Sequence, residues 1–123
     1  MLIVGETPLS IEDVVAVARK EKQVALPTSA EWTALIQRGA DFLDQLLQDE
    51  GVIYGVTTGY GDSCLVEIPA HQVHELPLHL SRFHGCGMGQ NLDLITARAV
   101  GVVRLYSLAR GYSGVSHALL QRL

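Results

Sequence analysis

From Leu92 to Ala109 the chain is apolar nearly all the way round a helical wheel. Leu92, Leu94, Ile95, Ala97, Ala99, Val100, Val102, Val103, Leu105, Leu108 and Ala109 leave almost no polar face. A surface helix keeps one side for water, so a helix of this kind wants burial on most faces. Any fold available to the chain has to supply neighbours for it. The spacing directs Arg98 toward solvent and leaves Arg104 among interior positions, where a guanidinium needs a carboxylate or carbonyl partner. Composition makes the same demand. Hydrophobic residues are 48% of the chain and charged residues 18%, against a usual charged share of about 25%. At 123 residues the chain fits one domain by size. Small domains have a high surface-to-volume ratio, so scarce charge points to surface covered by more chain or by another subunit.

Charge and patterning exclude several classes of function. The net charge is −4 and no cluster of five or six Lys or Arg occurs, which leaves no electrostatic footprint for nucleic acid. No apolar run reaches the roughly 18 to 20 residues that span a bilayer. The start, Met1-Leu2-Ile3-Val4-Gly5-Glu6, lacks the basic region and cleavage segment of a secretory signal, and the reading is a cytoplasmic protein. Two cysteines, Cys64 and Cys86, do not make a disulfide scaffold.

Local signals divide the chain into helices joined by glycine-rich turns. Ser10 is placed to cap a helix, with Asp13 three residues on in a weaker version of the capping box; this helix is expected to run to Lys20 or Lys22. Val24-Ala25-Leu26 reads as a short extended segment ended by Pro27. Thr28 offers the next cap, with Glu31 after it, for a helix to about Gln48 whose Trp32, Leu35, Ile36, Phe42, Leu43, Leu46 and Leu47 recur at helical spacing. From Gly51 a buried-strand pattern passes into a loop punctuated by Gly55, Gly59 and Gly61. Helical stretches are expected over 72–83, from Asn91 or Leu92 to Ala109, and from Val115, with turns at 85–89 and 111–114.

Few residues could carry chemistry. Tyr54, at the strand-to-loop transition beside glycines, is either a packed tyrosine with a bonded hydroxyl or a proton-transfer group. Tyr60 shares that ambiguity. The loop has neither a Walker A motif nor a dinucleotide fingerprint. His71, His74, His79 and His84 lie near Cys64 and Cys86 in sequence, but without the paired spacing of a zinc site. His84, followed by Gly85, Gly87 and Gly89, is either a pocket residue or a structural histidine. Its neighbour Cys86 is no evidence of a dyad, since adjacency does not set nucleophile-to-base geometry.

Three blocks change this balance. Tyr54-Gly55-Val56-Thr57-Thr58-Gly59-Tyr60-Gly61, Arg82-Phe83-His84-Gly85-Cys86-Gly87-Met88-Gly89 and Arg104 through Val115, ending in Gly111-Tyr112-Ser113-Gly114-Val115, occur in this order. Together they resemble the N-terminal part of the family of histidine, phenylalanine and tyrosine ammonia-lyases and the related 2,3-aminomutases. The resemblance covers essentially the whole chain. It implies a mainly α fold with short strands and a glycine-rich active-site loop, truncated before the central helical bundle is complete. It divides the single region 1–123 into a helical start (1–50), an active-site loop (51–67) and helical segments (68–123).

The resemblance also implies roles. Tyr54 corresponds to the base that removes a β-proton, Gly61 and Tyr60 to the adjoining active-site loop, His84 to a substrate-pocket histidine and Phe83 to the selectivity position beside it. It implies elimination of ammonia from an aromatic L-amino acid to an α,β-unsaturated acid, or amine migration in an aminomutase, within a homotetramer whose sites combine several subunits. The family's electrophile is a methylidene-imidazolone cyclised from Ala-Ser-Gly, a tripeptide absent from this sequence. The chain alone is therefore expected to hold no cofactor and to be inactive, awaiting a complementing C-terminal polypeptide or its own oligomer. A non-catalytic helical binding or assembly fragment is the alternative. Phe83-His84 mixes the pairs of different members, and Thr57 replaces an asparagine, as in some tyrosine-directed relatives. An apolar ring pocket at Phe83 favours an aromatic substrate over histidine.

Overall fold

The structure, a computed structural model, describes residues 1–49 and 51–123; the expected boundary after Glu50 falls on the residue outside that range. The architecture is mainly helical, with one pair of two-residue strands among the described residues. The chain forms two compact units, one of residues 1–43 and 91–123, the other of residues 44–90.

In the first unit, strand β1 (Leu2–Ile3) runs parallel to β2 (Val24–Ala25), with Leu2 opposite Val24 and Ile3 opposite Ala25. Helix α1 (Ile11–Ala18) starts at Ser10, whose hydroxyl accepts from the Asp13 amide at 3.1 Å while the Asp13 carboxylate accepts from the Ser10 amide at 3.4 Å. The helix ends earlier than the expected Lys20 or Lys22. Lys20 turns left-handed at φ 64°. The Lys20 amide then donates to the Val17 carbonyl and the Glu21 amide to that of Ala16, the paired bonds of a Schellman stop. Periodicity alone carries no sign of a non-glycine residue taking that conformation. Lys22 folds back to an ion pair with Asp13 at 2.6 Å. This contact, with the Ser10 bonds second, holds the Asp13 carboxyl below the usual aspartate range.

Helix α2 (Ala30–Gln48) is capped by Ser29 rather than Thr28: the Ser29 hydroxyl accepts from the Trp32 amide at 3.2 Å. Trp32 and Ile36, four residues apart, put one stripe of α2 into the core. Helix α4 (Leu94–Ala109) starts later than the expected Asn91 or Leu92, because the Asp93 carboxylate takes the amides of Ile95 and Thr96 at 2.8 and 2.9 Å. Those bonds, Thr96 first, lower the Asp93 carboxyl below its usual range. Helix α5 (His117–Arg122) is capped by Ser116. The core gathers Leu2, Val4, Trp32, Ile36, Val102, Leu108, Ala109 and Leu120. The two arginines exchange their expected places. Arg98 is half-buried and donates to the Ala18 carbonyl at the end of α1 at 3.0 Å, while Arg104 is exposed. Helix α1 packs on α4, and that contact sets which side of α4 faces inward.

The second unit holds the last turn of α2, an irregular segment from Gly51, 3-10 turns at Gly61–Ser63 and Ala70–Gln72, and helix α3 (Leu76–His84). The strand expected from Gly51 does not form. Val52 is 79% exposed, and residues 54–57 are turn. A lone antiparallel bridge joins Thr58 to Glu67. Pro77 sits in the first turn of α3, where a missing amide costs nothing.

Candidate functional site

Two threonine hydroxyls shape the loop that carries Tyr54. The Thr57 hydroxyl accepts from the Ile53 amide at 2.8 Å and donates to the Gly51 carbonyl at 3.1 Å. The Thr58 hydroxyl accepts from the Gly55 amide at 3.2 Å and donates to the Gly59 carbonyl at 3.1 Å. Thr58 is buried, so these bonds satisfy a hydroxyl that would otherwise be stranded away from water. Gly55 supplies the left-handed step at φ 72°, and a side chain there would meet the Tyr60 ring. Only a glycine fits both conditions.

Held this way, the Tyr54 hydroxyl oxygen accepts from the Gly61 backbone amide at 3.0 Å. That bond uses a lone pair of the hydroxyl oxygen and does not engage the phenolic proton. The Tyr54 ring meets the Tyr60 ring edge-on, with centroids 6.3 Å apart, and is 64% exposed.

Next to this bond lies an open concavity of about 680 Å³, lined by Tyr60, Gly61, Phe83 and His84 together with His79 and Leu80. Four of the five residues singled out in the sequence thus share one cavity wall, and Tyr54 joins them through Gly61. The His84 Nδ1 lies 3.2 Å from the Leu80 carbonyl oxygen. A carbonyl can only accept, so the tautomer that makes this bond has its proton on Nδ1 and a lone pair on Nε2. Phe83 and His84 rings stand edge to face at 5.2 Å.

The sequence pattern offers His79 only as a metal ligand. It lines the cavity with its Nε2 3.8 Å from a Glu75 carboxylate oxygen. Its place four residues before Phe83 on α3 is the helical spacing that would have found it. His74 instead lines a separate concavity of about 720 Å³, with Thr57, Thr58 and Glu67. Among the described residues no three His, Cys, Asp or Glu side chains gather as a metal site. Cys64 and Cys86 are free thiols, and the Cys86 thiol donates to the Phe83 carbonyl at 3.1 Å. Among the described residues, no helix is long and apolar enough to cross a membrane.

The chain is similar to known proteins over nearly its whole length. The family model described as aromatic amino acid lyase matches residues 9–123. A histidine ammonia-lyase of Clostridium tetani is 35% identical over 99% of this chain and 23% of its own length. Among solved structures, a tyrosine aminomutase from Streptomyces globisporus superposes with a TM-score of 0.87 at 33% identity, over 98% of this chain and 23% of that one. An ergothionase from Treponema denticola superposes with a TM-score of 0.85 at 26% identity, over 98% of this chain and 24% of that one. The chain spans about 23% of the length of the curated relatives it matches.

Proposed function

Since the chain belongs to the aromatic amino acid lyase family, we propose that it supplies the proton-transfer and ring-binding part of an ammonia-lyase that converts an aromatic L-amino acid to its α,β-unsaturated acid. The observation that carries this reading is the Tyr54 hydroxyl, fixed by the Gly61 amide beside the cavity of Phe83 and His84. To take the β-proton Tyr54 has to react as the phenolate, its own proton given up to solvent first, and the Gly61 N–H is placed to bond that oxygen anion. The Gly61 amide occupies one side of the Tyr54 oxygen and leaves the rest of it open toward an approaching ligand. Phe83 and Leu80 offer apolar surface to a ring, and the free Nε2 of His84 accepts from a ring O–H or N–H. That acceptor favours a phenol or imidazole ring over a plain phenyl.

Where the family's methylidene-imidazolone is present, it would supply the electrophile for the substrate amine. No Ala-Ser-Gly occurs here to form it, and the exposed Tyr54 with its open cavity fits a neighbour of that group rather than its source. This chain's residues bind the ring and move the β-proton, and the reaction is completed within an oligomer by lyase sequence outside these residues. An aminomutase reading draws support from the 0.87 TM-score to a tyrosine aminomutase; the product, β-amino acid rather than free unsaturated acid, separates the two.

The purified chain alone is expected to release no unsaturated acid from phenylalanine, tyrosine or histidine. Supplied with Ala-Ser-Gly-bearing lyase sequence, the assembly is expected to turn over, and Tyr54→Phe to lower kcat by roughly 10²- to 10⁴-fold. A Tyr54→Phe assembly working at the unmodified rate would exclude Tyr54 as the base.

A further inference from the structure

From α3, Leu76, His79, Leu80, Phe83 and His84 line the cavity. Their alternating steps of three residues and one trace a single stripe of a helix. The stripe is apolar except for its two imidazoles. His84 enters the reading above through its Nε2, whereas His79 has no part in it. The side chains of His79 and Glu75 are 57% and 64% exposed, which puts the pair at the solvent-facing edge of the cavity. From the loop, Tyr60 and Ser63 add hydroxyls to the lining. A hydroxyl rotates to donate or accept, so these two do not select a ligand by its hydrogen-bond character.

The imidazoles do select. The His84 tautomer that bonds the Leu80 carbonyl keeps a lone pair on Nε2. A Glu75 carboxylate oxygen lies 3.8 Å from Nε2 of His79. That is longer than a direct hydrogen bond, but an acceptor-only anion at this range favours a hydrogen on the nitrogen facing it. In the neutral imidazole the lone pair then falls on Nδ1. Each histidine therefore turns one nitrogen to an acceptor of its own helix turn and keeps the other as an acceptor. A ring without polar hydrogens satisfies neither. A single phenol O–H donates to one at a time, and a dihydroxyphenyl ring has an O–H for each. Resting on the lyase reading above, we infer that His79 is a specificity-determining residue which, with His84, makes the cavity select a ring carrying two hydrogen-bond donors, that of a dihydroxyphenyl amino acid. A site built to bond hydroxyls discriminates against rings that lack them because its acceptors are left unpaired.

Ring binding to the chain, followed by NMR of the imidazole resonances under nitrogen at about pH 8, where imidazoles are ordinarily neutral, tests the inference without turnover. The probes are methylcatechol, para-methylphenol and para-methylanisole. The unmodified chain is expected to bind the catechol about fivefold tighter than the phenol, and the phenol tighter than the anisole. His79→Phe keeps a ring on α3 but removes the acceptor, and is expected to bring catechol and phenol within about twofold of each other. His79→Gln restores an acceptor oxygen and is expected to recover part of the preference. A His79 that only held α3 in place would lower both affinities together and leave their ratio unchanged. No binding of the catechol, equal affinity for catechol and phenol, or a preference that survives His79→Phe would each overturn the inference. In the lyase assembly the same ratio is read as kcat/KM for dihydroxyphenylalanine against tyrosine. Turnover without a His79-dependent ratio keeps the lyase reading and removes this inference; a His79-dependent binding preference without turnover does the reverse.

Discussion

Trp32 fastens two distant parts of the first unit with one bond. Its indole Nε1 donates to the Ala109 carbonyl at 2.8 Å, 77 residues away, and its ring meets that of His117 edge-on at 5.5 Å. Trp32→Phe keeps an aromatic ring but leaves a carbonyl unpaired in the core. The expected loss is about 1–3 kcal/mol of stability, read as a lower urea midpoint by circular dichroism. Gly55 shows a different constraint. Gly55→Ala imposes a left-handed alanine, costing roughly 1–2 kcal/mol, and places a methyl 2.7 Å from the Tyr60 ring. In the lyase assembly proposed above, the substitution is expected to reduce kcat with little change in secondary structure, because Tyr60 and Tyr54 shift together. Unchanged turnover would show that the loop geometry is not needed.

At the scale of elements, helix ends decide most. Lys20 closes α1 with a left-handed backbone, a conformation glycine adopts without strain. Lys20→Gly is expected to raise stability by about 1 kcal/mol, seen as a higher Tm. The start of α4 responds to acid. The Asp93 carboxyl is lowered by its bonds to Thr96 and Ile95. Its contribution is therefore present above the ordinary aspartate value of about 3.9, and is lost as pH falls through the lowered folded value. Asp93→Asn keeps a capping oxygen but does not titrate. Acid titration of helicity is expected to lose part of its pH dependence below about pH 4 in this variant; an unaltered profile would show that the cap carries no linkage. The helical periods and the Ser10 box could be read directly from neighbouring residues. The shift from Thr28 to Ser29 could not, since either hydroxyl is suitable and the entry of Trp32 into the core selects between them.

At the scale of the whole molecule, the two units differ in what holds them. Every buried hydrophobic side chain among the described residues lies in the first unit, and the second relies on the Thr57 and Thr58 hydroxyl bonds and a single bridge. Hydrogen exchange is therefore expected to protect α4 amides well above those of α3, measurable by mass spectrometry on proteolytic fragments. Equal protection would contradict that division.

Sequence alone determined the features that depend on near neighbours: the helical periods, the capping Ser10, the glycine turns, and the three ordered blocks that point to Tyr54, Phe83 and His84. Tertiary structure decided what depends on distant ones. Arg98, expected in solvent, meets the Ala18 carbonyl 80 residues away, while Arg104, expected inside, stands exposed. His79, passed over as a pocket residue, lines the cavity. A helix apolar on nearly every side has no intrinsic inward face. Packing against α1 and the core supplied one, and left the other as the exposed surface that the opening pattern required some neighbour to cover.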